Sequence, residues 1–269
     1  MTYWQEKVAV VTGASQGFGK VLAARLIQNG CHVVMVARDS EKLERAAAEI
    51  DPEGKLSTAI PTDVTNDDSV VALFEEVRRQ PGRLDALFNI AGMSSRGMVC
   101  ETSIDDFLLS FDLNVLSTVR CVQAARPLLE QSRGHIVNMG SLASKSASKF
   151  IGPYATSKFA LAGLNHQLRL ELGESGIHVM LVCPGPIARD DAGQRYADQT
   201  DGLPDSARKP GAGVKVKSID PATLADTILK GCEKRQTEIV WPGKARLLFA
   251  IAQLSGAWGD WVLRRFTSS

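Results

Sequence analysis

Charge of one sign is what this chain lacks: 31 lysines and arginines stand against 30 aspartates and glutamates, a net charge of +1. With so little overall field, nucleic acid is not an expected partner. Cysteine is sparse as well. The five residues Cys31, Cys100, Cys121, Cys183 and Cys232 are odd in number and scattered, without CxxC or Cys/His spacing. That argues against a metal site and leaves reduced core residues of a cytoplasmic protein as the simplest reading. The four histidines, His32, His135, His166 and His178, share no spacing with carboxylates or cysteines, so no catalytic metal is expected. Long apolar runs are missing too. Lys7-Val-Ala-Val-Val-Thr-Gly reads as a first strand entering a glycine turn, not as a signal peptide, because no cleavage site follows it. Arg246-Leu-Leu-Phe-Ala-Ile-Ala-Gln-Leu is too short and interrupted to span a bilayer.

What is present is a regular alternation of short β-branched runs with helix-length amphipathic segments. The runs are Val8–Val11, Val33–Val36, Leu56–Ile60, Leu84–Phe88, His135–Val137, Val179–Val182 and Glu238–Val240. Between them lie Lys20–Asn29, Glu41–Ile50, Asp67–Arg79, Ile104–Leu129, Tyr154–Glu174 and Pro221–Glu233. Such βαβ alternation predicts an α/β fold: a Rossmann-type, doubly wound, seven-stranded and mostly parallel sheet with helices on both faces. Ser40 is read as a cap before one helix, Asn29-Gly30 as the stop of another, and Asp220-Pro221 as a helix start. We expect one domain over 1–243, carrying an irregular substrate loop over about 187–216, and an amphipathic extension over 244–269.

Thr12-Gly-Ala-Ser-Gln-Gly-Phe-Gly places Gly13, Gly17 and Gly19 between a strand and a helix. Missing side chains there let backbone approach a pyrophosphate, and the helix N-terminus offers unpaired amides. At the end of the second strand Ala37 has no carboxylate for ribose hydroxyls, while Arg38 suits a 2′-phosphate, which favours NADP(H) over NAD(H). Asp39 is the counter-indication, able to serve a ribose in a shifted register. Farther on, Tyr154 and Lys158 stand four residues apart on one helix face. A cation beside the phenol favours phenolate and makes a proton-transfer device, although the same spacing also fits a surface tyrosine packed along a lysine stem.

In order and spacing these residues resemble the short-chain dehydrogenase/reductase family, in its main single-domain branch, to about residue 240. Thr12 to Gly19 is similar to TGxxxGxG, and Asn89-Ile90-Ala91-Gly92 resembles NNAG. Asp63-Val64, Asn114 in Asp-Leu-Asn-Val, Ser141 thirteen residues before Tyr154, and Pro184-Gly185 follow in family order. The resemblance implies cofactor contacts at Gly13, Ser15, Gln16, Gly17, Phe18, Gly19, Arg38, Asp63, Val64, Asn89, Ala91, Gly92, Tyr154, Lys158, Pro184, Gly185 and Ile187. It also implies a reaction. Tyr154 gives a proton to a substrate oxygen held by Ser141 while hydride arrives from nicotinamide; Lys158 tunes the tyrosine and holds ribose hydroxyls; Asn114 anchors a water relay. A carbonyl or secondary alcohol is then the substrate, and a homodimer or homotetramer formed through the helices around Asn114 and Tyr154 is the expected assembly.

Two departures and two surfaces complete the reading. Ile90 replaces the second Asn of NNAG, a supporting position. Arg189 replaces the usual threonine after Pro184-Gly185; a loop ion pair with Asp190 or Asp191, a cofactor phosphate and an acidic substrate group are its alternatives. Met93, Leu142, Phe150 and Ile151 suggest an apolar wall and a hydrophobic substrate. The extension carries Leu247, Leu248, Phe249, Ile251, Leu254, Trp258, Trp261 and Phe266 beside Lys244, Arg246, Arg264 and Arg265. A helix packed over the substrate mouth or against a subunit is its first reading, and peripheral membrane contact through 244–266 the second. The competing function is a dinucleotide-binding sensor or scaffold without turnover. A nucleotide-sugar epimerase or dehydratase would carry TGxxGxxG and a larger C-terminal domain, and neither is present.

Overall fold

The computed structural model describes all residues except 1, 190–195, 197–198, 201, 209–215, 260 and 262–269. Seven strands form one sheet: β1 (Val8–Thr12), β2 (His32–Ala37), β3 (Ser57–Pro61), β4 (Ala86–Asn89), β5 (His135–Met139), β6 (His178–Pro184) and β7 (Glu238–Trp241). Their order is β3-β2-β1-β4-β5-β6-β7, and each of the six pairings is parallel. Strands buried on both faces need apolar side chains pointing both ways, and the unbroken burial of β1 and β6 meets that demand. Ala9, Val11, Val33 and Met35 pack under α1 (Gly17–Gln28), α2 (Ser40–Ile50) and α8 (Pro221–Glu233). Val10, Val34, Leu87 and Ile136 pack under α3 (Asp67–Arg79), α5 (Ser117–Ser132) and α6 (Gly152–Leu172) on the other face. Because the chain runs outward in both directions from β1 and β4, their carboxyl ends flank a crevice.

Several boundaries differ from expectation for identifiable reasons. α1 begins at Gly17, not Lys20, and α2 is capped by Asp39, whose carboxylate accepts from the Lys42 amide, with Ser40 its first residue. The expected long helix over Ile104–Leu129 is three elements: α4 (Ile104–Phe111), a π-helical turn (Asp112–Leu116) and α5. Within the expected irregular loop lie a short helix α7 (Asp205–Arg208) and a bridge from Ile187 to Ile219, while Asp190 and Asp191 fall outside the described residues. Cys31, Cys121, Cys183 and Cys232 are buried as expected, but Cys100 is exposed. Beyond β7 the chain forms α9 (Ala245–Leu254). Among the described residues, no helix is long and apolar enough to cross a membrane.

Candidate active site

The crevice begins at the end of β1. Thr12 Oγ1 accepts from the amides of Ile90 and Ala91, each at 3.0 Å, which clips the end of β4 to the end of β1. Gly13 and Gly17 hold φ of +69° and +55°, a region costly for residues with a Cβ. A side chain on Gly19 would collide with the Gly13 carbonyl, so its absence lets α1 pack directly on the turn. No side chain caps α1, and its first amides are left for an anion. Arg189 reaches the same spot: a guanidinium nitrogen lies 3.2 Å from where a Gly17 Cβ would stand.

Arg38 is exposed at the far end of this crevice. Asp39 caps α2, its carboxylate 3.0 Å from the Lys42 amide and 3.2 Å from Lys42 Nζ, and also lines the cavity beside Arg38. Asp63 bonds to the amide and hydroxyl of Thr65 at 2.9 and 2.7 Å. Partial burial disfavours its charge, yet these bonds and the nearby Arg38 and Arg120 hold the carboxyl below its usual range. Val64 faces the cavity beside Thr62.

Ser141, Tyr154 and Lys158 stand on one stretch of cavity wall. Ser141 begins a 3₁₀ turn, Leu142–Ser144, where its Oγ accepts from the Ala143 amide and its own amide donates to Ser144 Oγ, both at 3.1 Å. As an acceptor in that bond, the hydroxyl keeps its proton for donation. Lys158 is 5% exposed, its Nζ donating to the Met139 carbonyl at 2.8 Å and lying 5.9 Å from the Tyr154 ring centre. Burial of the ammonium pushes its pKa down to about 8.

Asn114 sits behind the wall rather than on it. The π-helical turn rotates it inward, where Oδ1 accepts from the Met93 amide at 2.9 Å and Nδ2 donates to the Met93 carbonyl and Ser157 Oγ, each at 3.0 Å. Asn89 is also set back. It donates to Asn138 Oδ1 at 2.9 Å, and Asn138 donates to Asn165 at 3.0 Å, forming a buried amide ladder below the floor. Asp63 likewise lies off the wall, whereas Gly13, Ser15, Gln16, Gly17, Phe18, Gly19, Ala91, Gly92, Pro184, Gly185 and Ile187 line it.

The cavity is continuous, about 970 Å³, from Arg38 through the glycine turn and past Tyr154 to α9. Met93, Leu142 and Ile151 form the expected apolar wall, but Phe150 does not: it holds a turn with φ of +64° and faces elsewhere. Leu248 and Phe249, named above in the extension read as a helix over the substrate mouth, close one side together with Ala252. Sequence reasoning missed another liner: Arg96, 6% exposed, stacks 3.6 Å over the Tyr196 ring. A basic residue in an otherwise apolar, serine-rich segment was the signal available for Arg96. The contact with a tyrosine one hundred positions away had none.

Comparison with known proteins agrees with this geometry. A family model for short chain dehydrogenases matches residues 7–200. An uncharacterized oxidoreductase of Staphylococcus aureus is 34% identical over 188 residues, 70% of this chain and 80% of that one. A crystallised short-chain dehydrogenase of Streptomyces avermitilis superposes with TM-score 0.81 at 28% identity, over 96% of both chains. A metagenomic short-chain oxidoreductase in complex with NADP gives 0.72 at 28% identity, over 88% of this chain and 97% of that one. A short-chain dehydrogenase/reductase of Burkholderia phymatum in complex with NAD gives 0.82 at 24% identity, over 100% and 99%, a likeness of fold. With the family model spanning most of the sheet, this chain belongs to the short-chain dehydrogenase/reductase family of oxidoreductases.

Proposed function

We propose that the protein is an NADP(H)-dependent oxidoreductase interconverting a carbonyl and a secondary alcohol, with Tyr154 as general acid/base and a hydrophobic substrate. The observation that carries this reading is one continuous cavity holding Ser141, Tyr154 and Lys158 at one end and an uncapped helix start with Arg38 at the other. A dinucleotide fits those ends: glycine backbone meets the pyrophosphate, and a guanidinium meets a 2′-phosphate. When bound, the nicotinamide supplies hydride to the carbonyl carbon. The chain's own groups handle the oxygen. Ser141 donates to it and Tyr154 transfers its proton to it; the resulting phenolate is stabilised by the Lys158 ammonium and regains a proton from solvent. Oxidation of an alcohol reverses each step.

The scaffold alternative has no use for a buried ammonium beside a tyrosine, since an isolated buried charge destabilises the fold. Around this site we infer a single catalytic unit over 1–243, followed by the 244–269 extension, whose helix α9 lies at its mouth, working in the cytoplasm. A homodimer or homotetramer is supported by the exposed apolar residues Ile104, Leu108, Leu109 and Phe159 on α4 and α6. The test is NADPH oxidation across a carbonyl panel by wild type and Tyr154→Phe. A fall of about 10²- to 10⁴-fold in kcat is expected for the variant. Full activity in Tyr154→Phe would remove the mechanism, and tight NADPH binding without turnover on any carbonyl would restore the scaffold.

A further inference from the structure

The overall charge of +1 hides an uneven distribution. Residues 244–269 contain four cations, Lys244, Arg246, Arg264 and Arg265, against one carboxylate, Asp260, and so carry +3; the first 243 residues carry the balancing −2. The same segment holds α9, whose two faces serve different neighbours. Ala245, Leu248, Phe249 and Ala252 face the catalytic cavity, with Lys244 at its rim, lining the cavity and exposed to solvent. Leu247, Leu254 and Trp258 point away from it and are 68%, 87% and 69% exposed. Leucines and tryptophans in water at such exposure, beside exposed Lys244 and Arg246, form the pattern of an interfacial helix: apolar side in the acyl boundary, indole at headgroup depth, cations on anionic headgroups.

We propose that α9 and the turn carrying Trp258 dock on an anionic lipid surface, so that the mouth of the cavity opens toward the bilayer and substrate enters from it. The substrate class is then a long-chain ketone or secondary alcohol dissolved in lipid, a step that rests on the reaction proposed above. Charge complementarity selects this occupant. A second copy of the chain would bring its own +3 segment or a surface of far lower charge density against these cations, whereas an anionic bilayer attracts each of them.

Full-length protein is sedimented with vesicles of phosphatidylcholine alone and of phosphatidylcholine mixed with phosphatidylglycerol, without cofactor. Binding to the mixed vesicles, weakened by salt and accompanied by a blue shift of tryptophan emission, is expected. Trp258 and Trp261, the most exposed of the four tryptophans, supply that signal, because Trp4 is 1% exposed and Trp241 is half-buried at the end of β7. Replacing both Lys244 and Arg246 by Gln lowers partitioning about 30-fold, from about 1 kcal/mol per cation near an anionic surface. A triple variant, Leu247→Ser with Leu254→Ser and Trp258→Ser, changes outward positions only. It loses vesicle binding, keeps its rate on a small water-soluble carbonyl, and loses rate on a long-chain ketone presented in the bilayer. Wild type remaining in the supernatant with both vesicle types overturns the proposal. So does a triple variant that binds vesicles normally but changes oligomeric mass by light scattering, which assigns the face to a second copy. Vesicle binding without turnover on any carbonyl would remove the proposed reaction and leave the lipid surface standing.

Discussion

Replacing Lys158 by methionine should make the fold more stable and slow the proposed reaction. The ammonium is buried, and its pKa falls from the usual 10.5 to about 8. Each pKa unit corresponds to about 1.4 kcal/mol, so holding the charge in the fold at neutral pH costs about 3 kcal/mol. Methionine has similar length and no charge. It also lacks a donor for the Met139 carbonyl, now bonded at 2.8 Å, and that loss returns about 1–2 kcal/mol. A net gain of about 1–2 kcal/mol remains, or a rise in Tm of a few degrees at about 2–4 °C per kcal/mol. The sign of the pH dependence separates this cause from better packing. Because the folded pKa is depressed, the unfolded chain binds more protons between pH 8 and 10.5, and wild type recovers stability as pH rises through that window. The advantage of the variant therefore shrinks, by about 1 kcal/mol between pH 7 and pH 9. Buried thiols of Cys31 and Cys121, pushed up to about 12, weaken both proteins alike in alkali and cancel in the comparison. Urea unfolding at the two pH values measures the gap, and NADPH turnover should fall about 10²- to 10⁴-fold. A less stable variant at neutral pH, with a gap that ignores pH, would refute the reasoning.

Other substitutions read separate parts of the cavity. Arg38→Ala should weaken NADPH by about 2–3 kcal/mol and leave NADH nearly unchanged in calorimetric titration, because the 2′-phosphate is the partner proposed for its guanidinium; equal losses would overturn that assignment. Arg189→Ala, by contrast, should weaken both cofactors by the same factor, about tenfold, since it reaches Gly17, where the proposed pyrophosphate contact is one that both share. Selective loss of one cofactor, or none, argues for a different partner. His135 is 2% exposed and donates or accepts in a chain from Tyr3 through His178, at 2.7 and 2.8 Å. Burial and the neighbouring His178 push its pKa down to about 3 from 6.5, so the unfolded chain gains protons first as pH falls. Stability should drop by about 1 kcal/mol between pH 7 and 5.5, less in His135→Gln, and equal acid slopes in the two proteins would contradict this.

The sheet was legible because each buried strand must be apolar on both faces, which leaves short β-branched runs that helices seldom contain. Tyr154 and Lys158 were legible for a different reason, their spacing on one helical face, while Ser141, thirteen residues earlier, was supplied by the family resemblance. Long-range placement was not. The Asp112–Leu116 stretch has ordinary helical character, and nothing in its composition marks the π turn that rotates Asn114 inward. Thr12 gave no signal as a clip because its partners, Ile90 and Ala91, depend on the β1–β4 register. Phe150 misled through composition, since an apolar residue near the site was read as wall while the backbone used it in a left-handed turn.

Those unseen contacts converge on three residues. Thr12 holds Ala91 from the side of the sheet, and Asn114 holds Met93 from the side of the helices, taking both its amide and its carbonyl. Gly92 lies between, where a Cβ would come within 2.9 Å of Asn114 Oδ1 and 3.6 Å of Lys158 Nζ. The same asparagine reaches Ser157, the residue before Lys158 on α6. A single amide thus sets the distance between the floor of the cofactor crevice and the helix carrying Tyr154 and Lys158. Making that link with buried hydrogen bonds, two to the Met93 backbone and one to the Ser157 hydroxyl, rather than with a surface ion pair, makes it insensitive to salt.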